Sequence, residues 1–489
     1  MNVASVLDPV VAADPTRVAL FVGDRPITYA ELADAVASCA AGLASHGVGR
    51  GDRIAVVEVG SLLSAAVILG AARLGAAAAL MNAQLKAAEL QELVETSNCA
   101  RVGVAGAPYA EALGTAVDTV LGAGELLGND PAAAPPPVEP DDDLDALVLF
   151  TSGTTGLPKA IPITAGPLAR RLGTMGAPFD PASAPVVGFM CVPVFHVGGS
   201  LGLVSALRGG RTTVVQPRFD AGDWLRLVER HRVSSVFVVP TMLQRILDHP
   251  DFATTDLSSL VGVFYGAAAA PVELVQRAME AMPDVGFGNV FGQTETLGAY
   301  TTLTADDHRA PARIGSVGRA LPGVEVRVVD PVSGDDLPDG EVGELWVRSD
   351  QNVRDGWLHT GDLARRDADG YIYPSGRLTD TINRGGEKFG PVEIETVLRA
   401  HPAVRDVAAA GVPDSEMGER VGVAVVADGD LTADEVKAWC SARLAIYKTP
   451  ESVVFVDDLP YNDTGKVVRR ALVEVIQHES TSFGVNRPS

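Results

Sequence analysis

Apolar positions follow two periods along this chain. After Tyr29 the run ELADAVASCAAGLASHG repeats them at helical spacing and stops at Gly47, which predicts a helix. The next stretch, RGDRIAVVEV, is continuously apolar at its centre and predicts a buried strand. SAAVILGAARLGAAAALMN reads the same way, as a packed core helix and then a strand. Arg73 and the many Ala and Gly residues argue against a membrane span. Further on, the strand patterns SSVFVVP and VGVFYG lie between the helical patterns WLRLVERH and PVELVQRAMEAM. Strands alternating with helices predict α/β layers with mainly parallel sheets. AAAPPPVEP, from Ala132 to Pro140, is expected to be a surface loop, because the alternation resumes on both sides of it. After Asp380 the pattern changes. EIETVLRAHPAV, VRDVAAAGV, RVGVAVVA, TADEVKAWCSARL and SVVFVDDLP predict a compact α+β unit of about 110 residues. The final ESTSFGVNRPS has no periodicity and is expected to be disordered. No internal repeat is visible.

Composition narrows the class. The 489 residues are too many for one hydrophobic core, so two or more domains are expected. With 47% hydrophobic and 21% charged residues, core material is ample and disorder is confined to tails and linkers. The net charge of -23 argues against broad binding to nucleic acid or anionic membranes. Any anionic ligand must then meet a local cluster of N–H groups, Lys and Arg. Cys39, Cys99, Cys191 and Cys440 are scattered, without a C-x-x-C pair. Buried thiols in a reduced cytoplasm are expected, not a disulfide framework or zinc site. MNVASVLDPVVAADP lacks a basic n-region and is not read as a signal peptide.

One stretch points to chemistry. In LVLFTSGTTGLPKAIP an apolar strand gives way to hydroxyls, glycines and one Lys. Gly153 and Gly156 permit backbone shapes in which successive N–H groups point inward. Such a nest, with four hydroxyls and Lys159, suits a polyphosphate. The spacing differs from the P-loop NTPase motif, since Pro158 precedes the Lys. Taken alone, the stretch reads equally well as a plain Ser/Thr/Gly turn. It is followed, in order, by VPVFHVGG, VFYGAAAAP, FGQTE, LHTGDLARRDADGYIY, GRLTDTINRGGEKFGPVEIE and PYNDTGK. In these motifs and their order, over roughly residues 10 to 475, the chain resembles the adenylate-forming superfamily of acyl-CoA synthetases, amino-acid adenylation domains and luciferases.

The resemblance implies two steps. A carboxylate attacks the α-phosphorus of ATP, giving an acyl-adenylate and pyrophosphate, and a thiol then displaces AMP. The first step develops charge on phosphoryl oxygens and needs placed cations and donors more than a base. By the resemblance, Thr151, Ser152, Gly153, Thr154, Thr155, Gly156 and Lys159 wrap the β- and γ-phosphates. Glu295, with Thr155, helps hold Mg²⁺, and Thr294 touches the α-phosphate. Phe291, Gly292 and Gln293 precede them at the nucleotide, and Gly266, Ala267 and Ala268 flank adenine. Asp362 is expected on the ribose hydroxyls and Arg377 on the ribose or phosphates. Lys466 is expected beside the α-phosphate and acyl carboxylate in step one. For step two the small domain turns about a hinge at residues 377–380, and Gly385, Gly386, Glu387 and Lys388 build a pantetheine tunnel. The expected domains are residues 1–376 and 381–478, with a tail at 479–489. His196 reads either as a gate on the acyl and thiol side or as a loop cap.

Four departures from the family pattern stand out. Ala160 follows Lys159 where the family has Gly, and PITAGP lacks a His often found there. The segment between GELWVRSDQ and DGWLHTGD is short, and Thr379 replaces a hinge Asp or Lys. The acyl pocket is expected along Phe195, Val197, Gly198, Gly199, Tyr265, Ala269 and Thr296. The motifs that carry them hold no Arg or Lys, which disfavours diacids and favours an apolar acid; their small residues read either as a wide pocket for an aryl, alicyclic or polycyclic acid or as packing of strands against helices. Four readings remain: an acyl-CoA ligase using ATP, Mg²⁺ and coenzyme A, an enzyme loading a carrier protein, an enzyme of the thioester step alone, and a silent nucleotide-binding protein. The intact Lys159, Glu295, Asp362 and Lys466 argue against the last. Oligomeric state is left open.

Overall fold

The protein is described by a computed structural model covering residues 3–152, 158–462 and 465–482. It divides into two compact units. The larger comprises residues 1–266, 277–300 and 348–356, and the smaller comprises residues 267–276, 301–347 and 357–489.

The expected α/β layering is present in the larger unit. One sheet runs, in order, through Thr119–Leu121, Val102–Ala105, Arg53–Val57, Ala77–Met81, Asp145–Ser152 and Pro158–Thr164. Its strands pair in parallel except for the last two, which form an antiparallel hairpin. Both faces are covered, so Ala77–Met81 is buried at every position and reads as an unbroken apolar run. A second sheet runs from Gly286–Gln293 through Gly262–Gly266, Ser235–Val238, Val187–Met190, Thr212–Val215 and Val18–Val22 to Arg25–Thr28. The stretch SAAVILGAARLGAAAALMN forms the core helix Leu62–Leu74 and the strand Ala77–Met81. Ser61 caps that helix and Gly75 ends it in the left-handed conformation.

The smaller unit contains a four-stranded sheet, Glu325–Val329, Val342–Arg348, Leu358–Arg366 and Ile372–Arg377. It also contains the α+β region expected after Asp380. There Val404–Asp414 and Gly418–Ala427 form a long antiparallel pair. Ser452–Phe455 adds in parallel. Ile394 and Leu398 of the helix Pro391–Arg399, with Val436 and Cys440 of Ala433–Ser441, pack on this sheet's core. The last helix, Arg469–Ser482, buries Leu472 and Ile476 against the other face. It extends past Glu479, into the segment expected to be disordered, because the helical period set by Leu472 and Ile476 carries the backbone onward. No helix among the described residues is long and apolar enough to cross a membrane.

Candidate active site

The phosphate hairpin is built from the inside out. Leu147, Val148 and Leu149 are buried and anchor its first strand. Thr151 lies opposite Lys159, and Ser152 opposite Pro158. Ile161 and Ile163 point into the core, so the alternation leaves Lys159 exposed. Gly153, Thr154, Thr155 and Gly156 lie outside the described residues. The Ala160 methyl packs against the buried cluster Ala77, Ala79 and Val148, so this departure is absorbed by the sheet. The hairpin leads directly into the helix Ala165–Thr174.

A second loop of the larger unit follows the strand Gly286–Gln293. It makes one 3₁₀ turn, Thr294–Thr296. Thr296, expected to line the acyl pocket, is buried, and its hydroxyl closes the turn. Its Oγ1 donates to the carbonyls of Gln293 (2.9 Å) and Gly298 (2.6 Å) and accepts from the Gln293 N–H (3.1 Å). Leu297 then takes a left-handed φ of 51°. Gly292 is required by close approach: a Cβ there would lie 1.9 Å from the Gly298 carbonyl oxygen. Phe291 meets Tyr300 edge-on at 5.3 Å.

Two groups at this loop lack a partner among the described residues. The buried Gln293 Nε2 has no hydrogen-bond partner among the described residues. The half-buried Glu295 carboxylate makes no hydrogen bond or ion pair with any described residue. No group of three or more His, Cys, Asp or Glu able to hold a metal occurs among the described residues. That donor set fits Mg²⁺, which is commonly held by one or two carboxylates with substrate phosphates and water.

On the expected acyl side, Phe195 is buried and His196 is the N-cap residue of the helix Val197–Arg208. The imidazole makes no cap bond and packs on Phe195 with ring centroids 4.7 Å apart. Val197 is half-buried and Gly198 exposed. At Gly199 a Cβ would meet the Pro193 carbonyl oxygen at 2.1 Å. Tyr265 is 0% exposed, and burial, offset in part by Asn289, pushes its phenol upward from the ordinary value. Alternation along Gly262–Gly266 turns Phe264 outward instead. Gly266 is buried within 2.1 Å (as a Cβ) of the Val290 carbonyl.

The smaller unit holds the other candidates. Ala267 is exposed at a left-handed φ of 67°, followed by Ala268 and the exposed Ala269. A non-glycine residue there is strained, a condition common at functional sites. Asp362 pairs with Arg377 across two strands, with Arg377 Nε donating to Asp362 Oδ1 at 2.8 Å. Asp362 is oriented by its neighbours. Thr360 Oγ1 accepts from the Asp362 N–H at 3.1 Å, and the buried Glu344 accepts from the Gly361 N–H at 3.2 Å. Thr379 lies in the 3₁₀ turn Leu378–Asp380 and donates to Asp380 at 3.2 Å. Gly385 and Gly386, at φ 59° and 96°, make the two-residue turn of a hairpin in which Arg384 faces Glu387 and Asn383 faces Lys388. Positive φ at both turn positions is what this tight connection demands. Lys466 is exposed, and its backbone N–H is held by Asn462 Oδ1 at 2.9 Å.

Comparison with known proteins decides the family. The profile described as AMP-binding enzyme matches residues 7–357, and the AMP-binding enzyme C-terminal domain matches residues 393–466. The chain belongs to the AMP-binding enzyme family. It is thus one of the adenylate-forming, AMP-forming acid–thiol ligases. A feruloyl-CoA synthase of an Amycolatopsis species is 36% identical over 93% of this chain and 95% of that protein. A long-chain-fatty-acid–CoA ligase of Mycobacterium tuberculosis is 31% identical over 92% of this chain and 93% of its own length. The solved o-succinylbenzoate CoA synthetase of Bacillus subtilis, in complex with its acyl-adenylate intermediate, is 27% identical. It superposes with a TM-score of 0.83, over 96% of this chain and 97% of that one. ATP with magnesium and coenzyme A are the cofactors of such ligases.

Within this AMP-binding fold, two features escaped the sequence analysis. Arg171, only 6% exposed, lies beneath the Glu295 loop, and Gln351 and Asn352 are buried in the shortened segment. A visible signal for Arg171 was its place between Leu168 and Leu172 on an apolar helix face.

All four cysteines are free. Burial pushes Cys39, Cys99 and Cys191 up to about 12 and Cys440 up to about 11. Iodoacetamide at about pH 8 is therefore expected to leave the native chain unmodified by intact mass and to label all four thiols in denaturing urea. Rapid labelling of the native chain would contradict this placement.

Proposed function

We propose that this chain activates an apolar aryl, alicyclic or polycyclic carboxylic acid as its acyl-adenylate and transfers the acyl group to coenzyme A, running both half-reactions itself. The observation that carries the substrate reading is the 36% identity to a feruloyl-CoA synthase along nearly the whole chain. It is supported by the exposed Gly198 and the apolar Phe195 and Val197 on the acyl side.

In the first half-reaction a carboxylate oxygen bonds to the α-phosphorus as the bond to the β-phosphate breaks, and pyrophosphate leaves. Magnesium supplies charge neutralisation at the phosphates. Glu295 would be its protein ligand, with Thr155 contributing an oxygen. Thr151, Ser152, Gly153, Thr154, Gly156 and Lys159 bind the β- and γ-phosphates, Thr294 the α-phosphate, Asp362 the ribose and Arg377 the ribose or phosphates. Lys466 neutralises charge shared between the α-phosphate and the acyl carboxylate. In the second half-reaction the thiol sulfur bonds to the acyl carbon, AMP leaves, and the thiol proton passes to solvent. The domain of residues 381–478 turns about residues 377–380 between the steps. Lys466 withdraws, and Gly385, Gly386, Glu387 and Lys388 line the thiol's path. His196 gates the acyl and thiol side. The compartment that fits the free thiols is the cytoplasm.

A panel of hydroxycinnamic, benzoic, alicyclic and fatty acids, each assayed for acyl-CoA by mass, tests the substrate class. Turnover of cyclic acids at least about tenfold above that of long-chain fatty acids is expected, a ratio within reach of pocket shape alone. Preference for the fatty acids would refute the substrate class.

A further inference from the structure

The shortened segment flagged in the sequence has a use in the fold. Residues 348–356 belong to the larger unit, where they cross the helix Ala165–Thr174 and reach the Glu295 turn. Arg170 Nε donates to the Asp350 carbonyl at 2.8 Å. Arg171 Nη1 donates to Gln351 Oε1 at 3.4 Å, and the Thr174 hydroxyl, which donates to the Arg171 carbonyl at 2.9 Å, lies 3.3 Å from the same oxygen. Arg171 Nε donates at 3.0 Å to the carbonyl of Leu297, the left-handed residue that closes the turn. From the other side, the Val353 N–H donates at 3.0 Å to the carbonyl of Glu295 itself. The turn is therefore tied at both ends, once to the helix and once to the strap.

The choice of Arg is informative. A guanidinium 6% exposed and bonded only to a backbone carbonyl and an amide oxygen, with no carboxylate among its described partners, is costly to bury. A simple packing role would be filled at lower cost by Met or Leu. A guanidinium instead offers several donors in a rigid plane, which lets one side chain bind two segments at once. The helix that carries it also continues the phosphate hairpin without a break. One rigid element therefore sets both the hairpin and the Glu295 turn.

We propose that Arg171 and the strap Gln351–Val353 form one clamp that positions the Thr294–Thr296 turn, and so the Glu295 carboxylate, relative to the phosphate hairpin. Arg171 is a positioning residue and touches no reacting atom. The inference rests on the reading of Glu295 as the magnesium ligand.

The test uses the full chain without nucleotide and then with Mg²⁺ and ATP. Arg171→Met, Arg171→Lys, Gln351→Met and Glu295→Gln are compared by amide hydrogen exchange at Leu297 and Val353 and by the Mg²⁺ concentration that half-saturates ATP binding in calorimetry. Arg171→Met and Gln351→Met are expected to speed exchange at these amides and to raise the Mg²⁺ requirement, each by about tenfold, since small misplacements at such sites carry large penalties. Arg171→Lys should recover part of both effects. Glu295→Gln should raise the Mg²⁺ requirement and leave exchange unchanged. If Arg171→Met and Gln351→Met fold with exchange and Mg²⁺ requirement both within about twofold of wild type, the clamp is refuted. If Glu295→Gln leaves the Mg²⁺ requirement unchanged, the ligand assignment fails and the inference fails with it. Faster exchange in the clamp variants would then identify Glu295 as the wrong step. Should Arg171→Met fail to fold, Gln351→Met, which keeps the guanidinium, decides by the same two readouts.

Discussion

Lys466→Ala is expected to slow pyrophosphate release from ATP and acid by about 10²–10³-fold, while thioester formation from supplied acyl-adenylate stays within about threefold of wild type. The asymmetry follows from where charge develops. In the first step the attacking carboxylate and the α-phosphate share negative charge, and a mobile ammonium beside them offsets it. In the second the adenylate is already formed and AMP is a good leaving group. The structure is compatible with a lysine that comes and goes. Its side chain is exposed, and its backbone N–H is held by Asn462 Oδ1 at 2.9 Å. Pyrophosphate release and thioester formation are followed separately, the second with synthetic acyl-AMP. Equal loss in both steps would refute the assignment.

Gly292→Ala should be the most damaging conservative change in the larger unit. The added methyl would sit 1.9 Å from the Gly298 carbonyl oxygen and 2.6 Å from its carbon, both backbone atoms that cannot rotate away. Relief requires moving the chain on either side of the Thr294–Thr296 turn, where Thr296 bonds to Gln293 and Gly298. A stability loss of about 3 kcal/mol or more and a fall in adenylation of about 10²-fold are expected. Gly124→Ala is the control. A Cβ at that position meets nothing within 4 Å, and it lies in the short helix Ala123–Leu127. It should be neutral or stabilising by up to about 1 kcal/mol. Thermal midpoints and pyrophosphate release of the two variants check both statements. A Gly292→Ala protein as stable as wild type would mean that the two segments are not so closely apposed.

The parts legible in the sequence were those governed by local rules. The period of ELADAVASCAAGLASHG matches the helix Tyr29–Ser45, and the apolar runs match buried parallel strands. Gly385 and Gly386, expected along the thiol's path, turn out to form the tight turn of a hairpin. The family motifs were legible because each is contiguous. Residues whose meaning depends on distant partners were not. Arg171 meets Leu297 and Gln351, separated from it by more than a hundred residues, and no period encodes that meeting. Ala160, a departure from the family pattern, carries its methyl onto Ala77, Ala79 and Val148, partners far away in sequence. Tyr265 and Phe264 differ in exposure only by strand alternation, and the sheet decides which faces inward.

The central claim is that one chain performs both half-reactions on a free acid. It is tested most directly by supplying the chain with ATP, Mg²⁺, coenzyme A and a cyclic carboxylic acid, and measuring pyrophosphate and acyl-CoA in the same reaction. Both are expected to form in equal amounts, and omitting coenzyme A is expected to leave a bound acyl-adenylate. Acyl-CoA that forms only when synthetic acyl-AMP replaces ATP and acid would contradict it.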